Sequence, residues 1–369
     1  MDNTHFADPA STDRTHERFR CTRPARGARP RRHAGRGVTI LAALAVVLTA
    51  CGDAAEPTAA GAAADEASPS AHAAAEEASP SASPDPADTL FAYDADAPVE
   101  VTDVGTVEEL GREVRDVTYA SPMGGDVPAY IAEPTEDPTD VGILMLHGVP
   151  EKRHAYLDPI ARFACAGATA MVIDAPMNRD PDRPPYEPIT FTEVDRDEQI
   201  QLIVDLRRAV DVLMQAGVER IGYDAISYGA AIGAQLAGVE HRIDAFALLA
   251  ADAGLADHFT NDGATLFPLS SRPEAEQQAW LEAMEPLSAI HFVGDATAPL
   301  LFVSGRNDEV IPSEKAEALH EAAGENAEVR WYDTGHELNP TAFIEHLAWL
   351  ADQVGLDQQR VDECFADAF

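Results

Sequence analysis

The sequence predicts an α/β fold in which helices cover both faces of a mostly parallel central sheet. Short, continuously apolar segments, typical of strands buried on both sides, alternate with longer segments of helical periodicity. No repeat of solenoid or propeller period interrupts this alternation. Hydrophobic residues make up 46% and charged residues 24% of the 369 residues, which is the balance of a globular protein.

The predicted strands are of two kinds. Residues 141–146 and 169–173 are continuous apolar runs, as expected of parallel strands buried between helices. Residues 115–120 and 127–133 are an extended pair joined by a glycine-containing turn at 123–126. In chain order, the predicted strands are 115–120, 127–133, 141–146, 169–173, 220–226, 245–251, 299–304 and 329–333.

The predicted helices are indicated by apolar stripes and by glycines at their ends. Residues 193–216 carry one stripe at spacings of three and four, formed by Ile200, Ile203, Leu206, Val210 and Leu213. Gly167 and Gly217 each follow a predicted helix and favour its termination. In chain order, the predicted helices are 154–166, 193–216, 229–237, 273–284, 313–323 and 341–354.

The N-terminal region has the parts of an export signal. Residues 1–36 contain nine arginines against four acidic residues, and the uncharged apolar stretch 37–50 follows. This stretch ends in Leu-Thr-Ala before Cys51, an ending that resembles the bacterial lipobox. The resemblance implies a signal peptide over 1–50 with a long basic leader, cleavage before Cys51, and a lipid on its thiol. We therefore expect an exported cell-membrane lipoprotein that faces the extracellular side.

Residues 51–90 are predicted to be a disordered tether. They consist almost entirely of Ala, Ser, Pro and acidic residues, which cannot bury enough apolar surface to offset the chain entropy. The folded domain is expected over 91–369. The formal net charge of −38 repels phosphate backbones and excludes nucleic acid as a partner. The expected partners are a small-molecule acyl substrate and, through the lipid at Cys51, a membrane.

The most informative motif surrounds Ser227. The predicted strand 220–226 leads directly into this serine, and an Ala- and Gly-rich helix begins directly after it. A nucleophile at a sharp strand-to-helix turn needs small neighbours, and Ala225 and Gly229 stand two residues to either side. The segment resembles the Gly-x-Ser-x-Gly nucleophile elbow of the α/β-hydrolase superfamily, with alanine in the first glycine position. The resemblance implies that Ser227 is the nucleophile.

The loop after strand 141–146 resembles the loop that supplies half of the oxyanion hole in this superfamily. It begins His147-Gly148, and Pro150 has no N–H to donate. The resemblance therefore implies Val149 as the backbone donor from this loop and Tyr228, just after the nucleophile, as the other. We expect His147 to be structural.

Two later loops complete the resemblance. The Gly-Arg-Asn-Asp-Glu-Val-Ile-Pro segment after strand 299–304 resembles the loop of the triad acid, and Asp308 is the matching residue. The Gly-His pair after strand 329–333 matches the catalytic histidine with His336. Serine, aspartate and histidine follow one another in the chain order of α/β-hydrolases. Asp333 and Asp295 remain rival acids, whereas the histidines outside these loops are expected at the surface or in packing.

Within the superfamily, the chain resembles the dienelactone hydrolase-like and prolyl-oligopeptidase-like serine hydrolases. That likeness implies a serine hydrolase that cleaves carboxylic esters through an acyl-enzyme, with a small cap at about 252–292 over the site. A peptidase, amidase or thioesterase on the same residues stays open, as does a non-catalytic lipid-anchored surface protein. The residues leave the substrate, the acyl length and the oligomeric state open.

Neither a cofactor nor a metal ion is expected. The sequence contains no paired C-x-x-C, H-E-x-x-H or calcium-loop spacing. Cys165 and Cys364 could join in a disulfide in an exported protein, but only their geometry can decide this.

Overall fold

The computed structural model describes residues 89–184, 188–260 and 269–369. The predicted signal segment 1–50, Cys51 and the predicted tether up to residue 88 lie outside these ranges. The boundaries assigned to those segments therefore stay predictions. No helix of the described ranges is long and apolar enough to cross a membrane.

A nine-stranded sheet forms the centre of the described part of the chain. Its strands are β1 (Val101–Glu109), β2 (Arg112–Ala120), β3 (Asp126–Ala132), β4 (Val141–Leu146), β5 (Thr169–Ile173), β6 (Arg220–Ile226), β7 (Ala245–Leu249), β8 (Leu300–Gly305) and β9 (Ala327–Tyr332). Their spatial order is β1-β2-β3-β5-β4-β6-β7-β8-β9. The first three are antiparallel to their neighbours, and β5, β4 and β6 to β9 run parallel. The predicted mostly parallel sheet is therefore confirmed.

Helices cover both faces of this sheet. They are α1 (Leu157–Cys165), α2 (Glu193–Gln215), α3 (Tyr228–Ala237), α4 (Leu255–Phe259), α5 (Glu274–Met284), α6 (Ser313–Ala323), α7 (Pro340–Val354) and α8 (Gln358–Cys364). The predicted helix 154–166 is wrong at its start, because a 3-10 turn at Arg153–Tyr156 precedes α1. The remaining predicted helices lie within one residue of their observed bounds.

The strands of the sheet contribute to two apolar cores, one on each face. Along β4, Leu144 and Leu146 pack into one core, whereas Ile143 and Met145 pack into the other. The period of two expected of a strand thus sends alternate side chains to opposite faces. Helices α2, α3 and α6 bury the first core, and α1, α7 and α8 bury the second.

A disulfide between Cys165 and Cys364 joins the end of α1 to the end of α8, with the two Cα atoms 5.9 Å apart. It closes a loop between residues 199 positions apart in the sequence. Cross-linking so long a loop removes much conformational entropy from the unfolded chain. Near the bond, Phe163 and Phe365 pack edge to face at 5.0 Å.

We predict that removing this disulfide lowers the free energy of unfolding by about 2–4 kcal/mol. The measurement compares the wild-type protein with the Cys165→Ser/Cys364→Ser double variant by denaturant titration. A reductant should lower the stability of the wild type to that of the double variant and leave the variant unchanged. Equal stability of the two oxidised proteins would contradict a stabilising disulfide.

Candidate active site

Ser227 lies at a tight turn between β6 and α3, at the carboxyl edge of the parallel strands. Its backbone has φ 58° and ψ −126°, a left-handed conformation that is strained for a residue with a side chain. The turn is held by the Ser227 N–H, which donates to the Leu249 carbonyl at 2.8 Å. A Cβ on Gly229 would lie only 2.4 Å from the Leu146 oxygen, so the chain requires glycine there. Ala225 fits its position as a buried strand residue.

The three residues suggested by the sequence as a triad lie together. His336 Nε2 is 3.0 Å from Ser227 Oγ, and His336 Nδ1 is 2.8 Å from Asp308 Oδ2. Asp308 Oδ1 accepts the N–H groups of Val310 and Ile311, both at 2.8 Å. A carboxylate can only accept hydrogen bonds, so the imidazole nitrogen that faces Asp308, Nδ1, carries the proton. The other nitrogen, Nε2, has no proton and faces the serine.

The rival acids do not reach the histidine. Asp333 has a side chain that is 89% exposed, and its closest charged partner is Arg306 at 3.8 Å. Asp295 is exposed and belongs to a 3-10 turn between α5 and β8. By contrast, only 2% of the Asp308 side chain is exposed. The geometry therefore favours Asp308, as the loop resemblance does.

His147 is held in a structural role. Its Nδ1–H donates to the Gly148 carbonyl at 2.9 Å, and its Nε2 accepts the Ala175 N–H at 3.1 Å. Burial lowers the pKa of His147, which keeps the ring neutral and suited to both contacts. The ring thus ties the loop after β4 to the end of β5.

Arg153 anchors the other end of that loop. Its backbone N–H and its Nε donate to Asp174 at 2.9 and 3.0 Å, and its Nη1 donates to Asp116 at 2.6 Å. The guanidinium lies over the Tyr130 ring, 4.0 Å from the centroid. The loop that carries Gly148 and the predicted oxyanion donor is therefore braced on both sides.

Both residues proposed from the sequence as oxyanion donors line the space in front of Ser227. Val149 and Tyr228 border the same cavity as Ser227 and His336. Tyr228 is the first residue of α3, so its N–H has no acceptor within the helix. A Cβ on Gly148 would lie 3.7 Å from Ser227 Cβ, which shows how closely this loop approaches the serine.

The cavity in front of Ser227 has a volume of about 400 Å³. Its apolar lining includes Ile189, which precedes α2, Leu255 and Phe259 from the segment 252–292, and Ile311 from the loop after β8. Its carboxylates are Glu151, Asp252, Glu309 and Glu337. Burial and the nearby charge of Glu337 raise the pKa of Glu151.

His258 is a cavity residue that the sequence analysis missed. It was expected at the surface or in packing, but it lines the cavity together with Ser227. Its Nδ1 is 2.8 Å from Asp252 Oδ2, while Asp252 Oδ1 accepts the Gly254 N–H at 2.9 Å. Burial disfavours the protonated ring and by itself would lower the pKa of His258. The hydrogen bond and the charge of Asp252 have the larger combined effect, so the pKa of His258 is raised. The sequence feature that could have indicated His258 is its neighbour Asp252, which lies shortly after β7 at the carboxyl edge of the sheet.

We predict that His258→Gln destabilises the protein more at pH 6 than at pH 9. The folded-state pKa of His258 is raised, so protonation favours the folded protein below the unfolded pKa, and this contribution is lost as pH rises through the folded value. The expected loss at pH 6 is about 2 kcal/mol, the order of a charge-assisted hydrogen bond. Denaturant titration at both pH values measures it. His291→Gln removes an exposed ring that pairs with Glu285 and is the matched control. A loss equal at both pH values would contradict the prediction.

A serine held at a left-handed turn between a central strand and a helix is the arrangement of the α/β-hydrolases. A model of the family described as Serine hydrolase (FSH1) matches residues 139–342, more than half of the chain. The chain belongs to this family and is a serine hydrolase. No curated protein shows significant sequence similarity to it.

Solved structures establish the shared fold. An acetyl xylan esterase from Paenibacillus sp. R4 is 19% identical, with a TM-score of 0.59 over 72% of this chain and 92% of that one. Acetyl xylan esterase 1 from Thermoanaerobacterium sp. JW/SL YS485 is 13% identical with the same coverage and TM-score of 0.59. A cold-adapted esterase from an Arctic intertidal metagenomic library is 16% identical, with a TM-score of 0.53 over 68% and 98% of the two chains.

Proposed function

We propose that this serine hydrolase cleaves carboxylic esters through an acyl-enzyme on Ser227. The observation that carries the proposal is the hydrogen-bonded series from Asp308 through His336 to Ser227, which opens into a partly apolar cavity. The three structural relatives named above are described as esterases, which supports an ester substrate. The cofactor-free chemistry of such a triad needs only these side chains and water.

In the proposed mechanism, His336 removes the proton of Ser227 as its oxygen attacks the ester carbonyl. The 3.0 Å separation of His336 Nε2 from Ser227 Oγ is suited to this transfer. The imidazolium that forms is stabilised by the Asp308 carboxylate, which stays ionised. His336 then protonates the departing alcohol, and in the second half it activates the water that releases the acid.

The oxyanion that develops on the carbonyl oxygen would be held by the N–H groups of Val149 and Tyr228. Tyr228 lies at the N-terminus of α3, where the helix dipole also favours negative charge. Ala230 and Ala231 donate to the Ser227 carbonyl at 2.9 and 3.0 Å, so these two amides of the first turn are not free to bind the oxyanion. The braced loop after β4 would hold the Val149 donor in place without reorganisation.

The cavity favours a neutral or cationic ester over an anionic one. Four carboxylates line it, and its only basic side chains among the described residues are two histidines. Phe259 and Leu255 belong to the segment 252–292, which we propose acts as the cap that shapes the acyl pocket. The finer likeness to dienelactone hydrolase-like and prolyl-oligopeptidase-like enzymes rests on sequence motifs outside the segment 252–292 and stays a prediction.

Turnover of matched ester and amide substrates tests the proposed specificity. We expect p-nitrophenyl acetate to be hydrolysed and the corresponding acetyl p-nitroanilide not to be. Turnover of the anilide alone would overturn the ester proposal in favour of an amidase or peptidase. No turnover of either by a folded protein would favour a non-catalytic role.

We also propose that the protein is exported and anchored by a lipid at Cys51. The lipobox-like sequence before Cys51 supports this proposal. So does the disulfide between Cys165 and Cys364, because disulfides persist in oxidising compartments. Metabolic labelling with a fatty acid in the native host tests it, with Cys51→Ala as the variant and Cys21→Ala as the control. Labelling of wild type and the control alone is expected, and equal labelling of all three would contradict it.

A further inference from the structure

A second cavity lies on the face of the sheet covered by α1 and α7. Its volume is about 270 Å³, and it extends from the strand ends of β4 and β6 to the segment after α8. It shares Glu151 and Ile226 with the cavity in front of Ser227, but neither Ser227 nor His336 lines it. It is therefore a separate space beside the catalytic one.

The floor of this cavity is polar and buried. His346 and Asp224 line it with side chains that are 4% and 8% exposed, and His346 Nε2 is 3.4 Å from Asp224 Oδ1. Both ring nitrogens of His346 are buried and make no hydrogen bond within the described ranges of the chain. A buried polar group left without a hydrogen-bond partner destabilises the folded protein. An apolar residue of similar size would fill this position in the floor without burying an unpaired polar group. The imidazole therefore points to a ligand that supplies the missing hydrogen bond.

The walls of the cavity are aromatic. Phe163, Phe343, Phe365 and Phe369 line it. Phe369 stacks on Phe343 with ring centroids 5.1 Å apart and planes 8° apart. Because 49% of Phe369 is exposed, the stack forms the rim between the cavity and solvent. A ligand with a flat, apolar body would extend this aromatic packing.

We propose that this cavity binds a small apolar alcohol whose hydroxyl group hydrogen-bonds to both Asp224 and His346. A hydroxyl donates one hydrogen bond and accepts others, so it can donate to the Asp224 carboxylate and accept from the imidazole. An anionic ligand is disfavoured because Glu151, Asp158 and Asp224 all line the cavity. A cavity of about 150 Å³ is known to hold benzene, so this larger one suits a phenyl ring with a short hydroxyl-bearing chain.

The proposed site does not depend on the proposed catalytic role of Ser227. It is connected to that residue through β6, since Asp224 and Ile226 belong to the strand that leads into the serine. A bound alcohol would thus contact the strand behind the nucleophile while leaving the catalytic cavity open to substrate.

Binding to the full-length protein tests the proposal with three probes of one shape: 2-phenylethanol, ethylbenzene and 2-phenylethylamine. Affinities are measured by calorimetry or ligand-observed NMR. We expect 2-phenylethanol to bind at least fivefold more tightly than ethylbenzene, which makes no hydrogen bond, and more tightly than the amine, because an ammonium group cannot accept the hydrogen bond of the imidazole. His346→Phe should abolish this preference while retaining the apolar body. Ala368→Trp, at the half-buried rim, should block all three probes, and Ser227→Ala should leave their affinities unchanged.

Each remaining outcome would overturn the proposal. Binding unaffected by both His346→Phe and Ala368→Trp would place the probe in another cavity. Equal affinity for the alcohol and ethylbenzene would show that Asp224 and His346 do not recognise the hydroxyl group. A preference for the amine would show that the cavity selects a cation instead of an alcohol. Failure of 2-phenylethanol to bind at its solubility limit would remove the site. Should His346→Phe fail to fold, the probe preferences of the wild type and the loss of probe binding in Ala368→Trp still decide whether this cavity binds the alcohol.

Discussion

Replacing Ser227 with alanine is expected to lower kcat for p-nitrophenyl acetate by about a million-fold, as loss of the nucleophile does in serine hydrolases that use a triad. The change removes only the oxygen that His336 Nε2 faces at 3.0 Å. Alanine keeps the Cβ, so the strand-to-helix turn with φ 58° is not further strained. Steady-state kinetics with the purified protein measure the effect.

Ser304→Ala is the matched control for this substitution. Ser304 is buried at the end of β8, and its hydroxyl is 3.3 Å from His320 Nε2, so it is a second serine beside a histidine. Burial lowers the pKa of His320 to about 4, and neither residue lines the cavity in front of Ser227. We expect Ser304→Ala to retain nearly full activity. Ser227→Ala with wild-type kcat would refute the proposed nucleophile.

Asp308→Asn is expected to lower kcat by about ten-thousand-fold, the effect of the same change in other triads. The variant amide can still accept the Val310 and Ile311 N–H groups through its oxygen, because both bond to one carboxylate oxygen. Its NH₂ group then faces His336 Nδ1 and moves the imidazole proton to Nε2. A protonated Nε2 cannot accept the proton of Ser227, so the base is lost while the loop is retained.

Asp333→Asn controls for the general loss of a negative charge near His336. Asp333 is three residues from the histidine in sequence, but its side chain is 89% exposed. We expect its kcat to change by no more than about twofold, since exposed charges contribute little. If Asp333→Asn lowered kcat more than Asp308→Asn does, the assignment of Asp308 as the acid would be wrong.

The sequence predicted the central strands well because they are buried on both faces. Strands β4, β5 and β6 have the predicted bounds, and each is an apolar run between helices. Strand β1 was missed because it is an edge strand whose side chains are mostly exposed and polar, so it shows no clear alternation. Helices α4 and α8 were missed because helices of five and seven residues carry too few turns for a detectable stripe.

The candidate site was predictable where chemistry follows a strand directly. Ser227, Asp308 and His336 come after β6, β8 and β9, and the topology of a parallel sheet brings such ends to one edge. His258 was not predictable in this way, because it lies on a short helix in an irregular segment. Nor could the sequence decide whether Cys165 pairs with Cys364, since the pairing depends on how α8 packs on α1. His346 gave no signal because Asp224, whose Oδ1 lies 3.4 Å from its ring, is far away in sequence.

Covalent labelling of the full-length protein with a fluorophosphonate, followed by peptide mass spectrometry, tests directly whether Ser227 is an activated nucleophile. Only an activated serine reacts readily with this reagent. We predict one phosphonylated residue, Ser227, in the wild type and in Ser304→Ala, and no labelling in Ser227→Ala. Labelling of a different serine, or none in the folded wild-type protein, would contradict it.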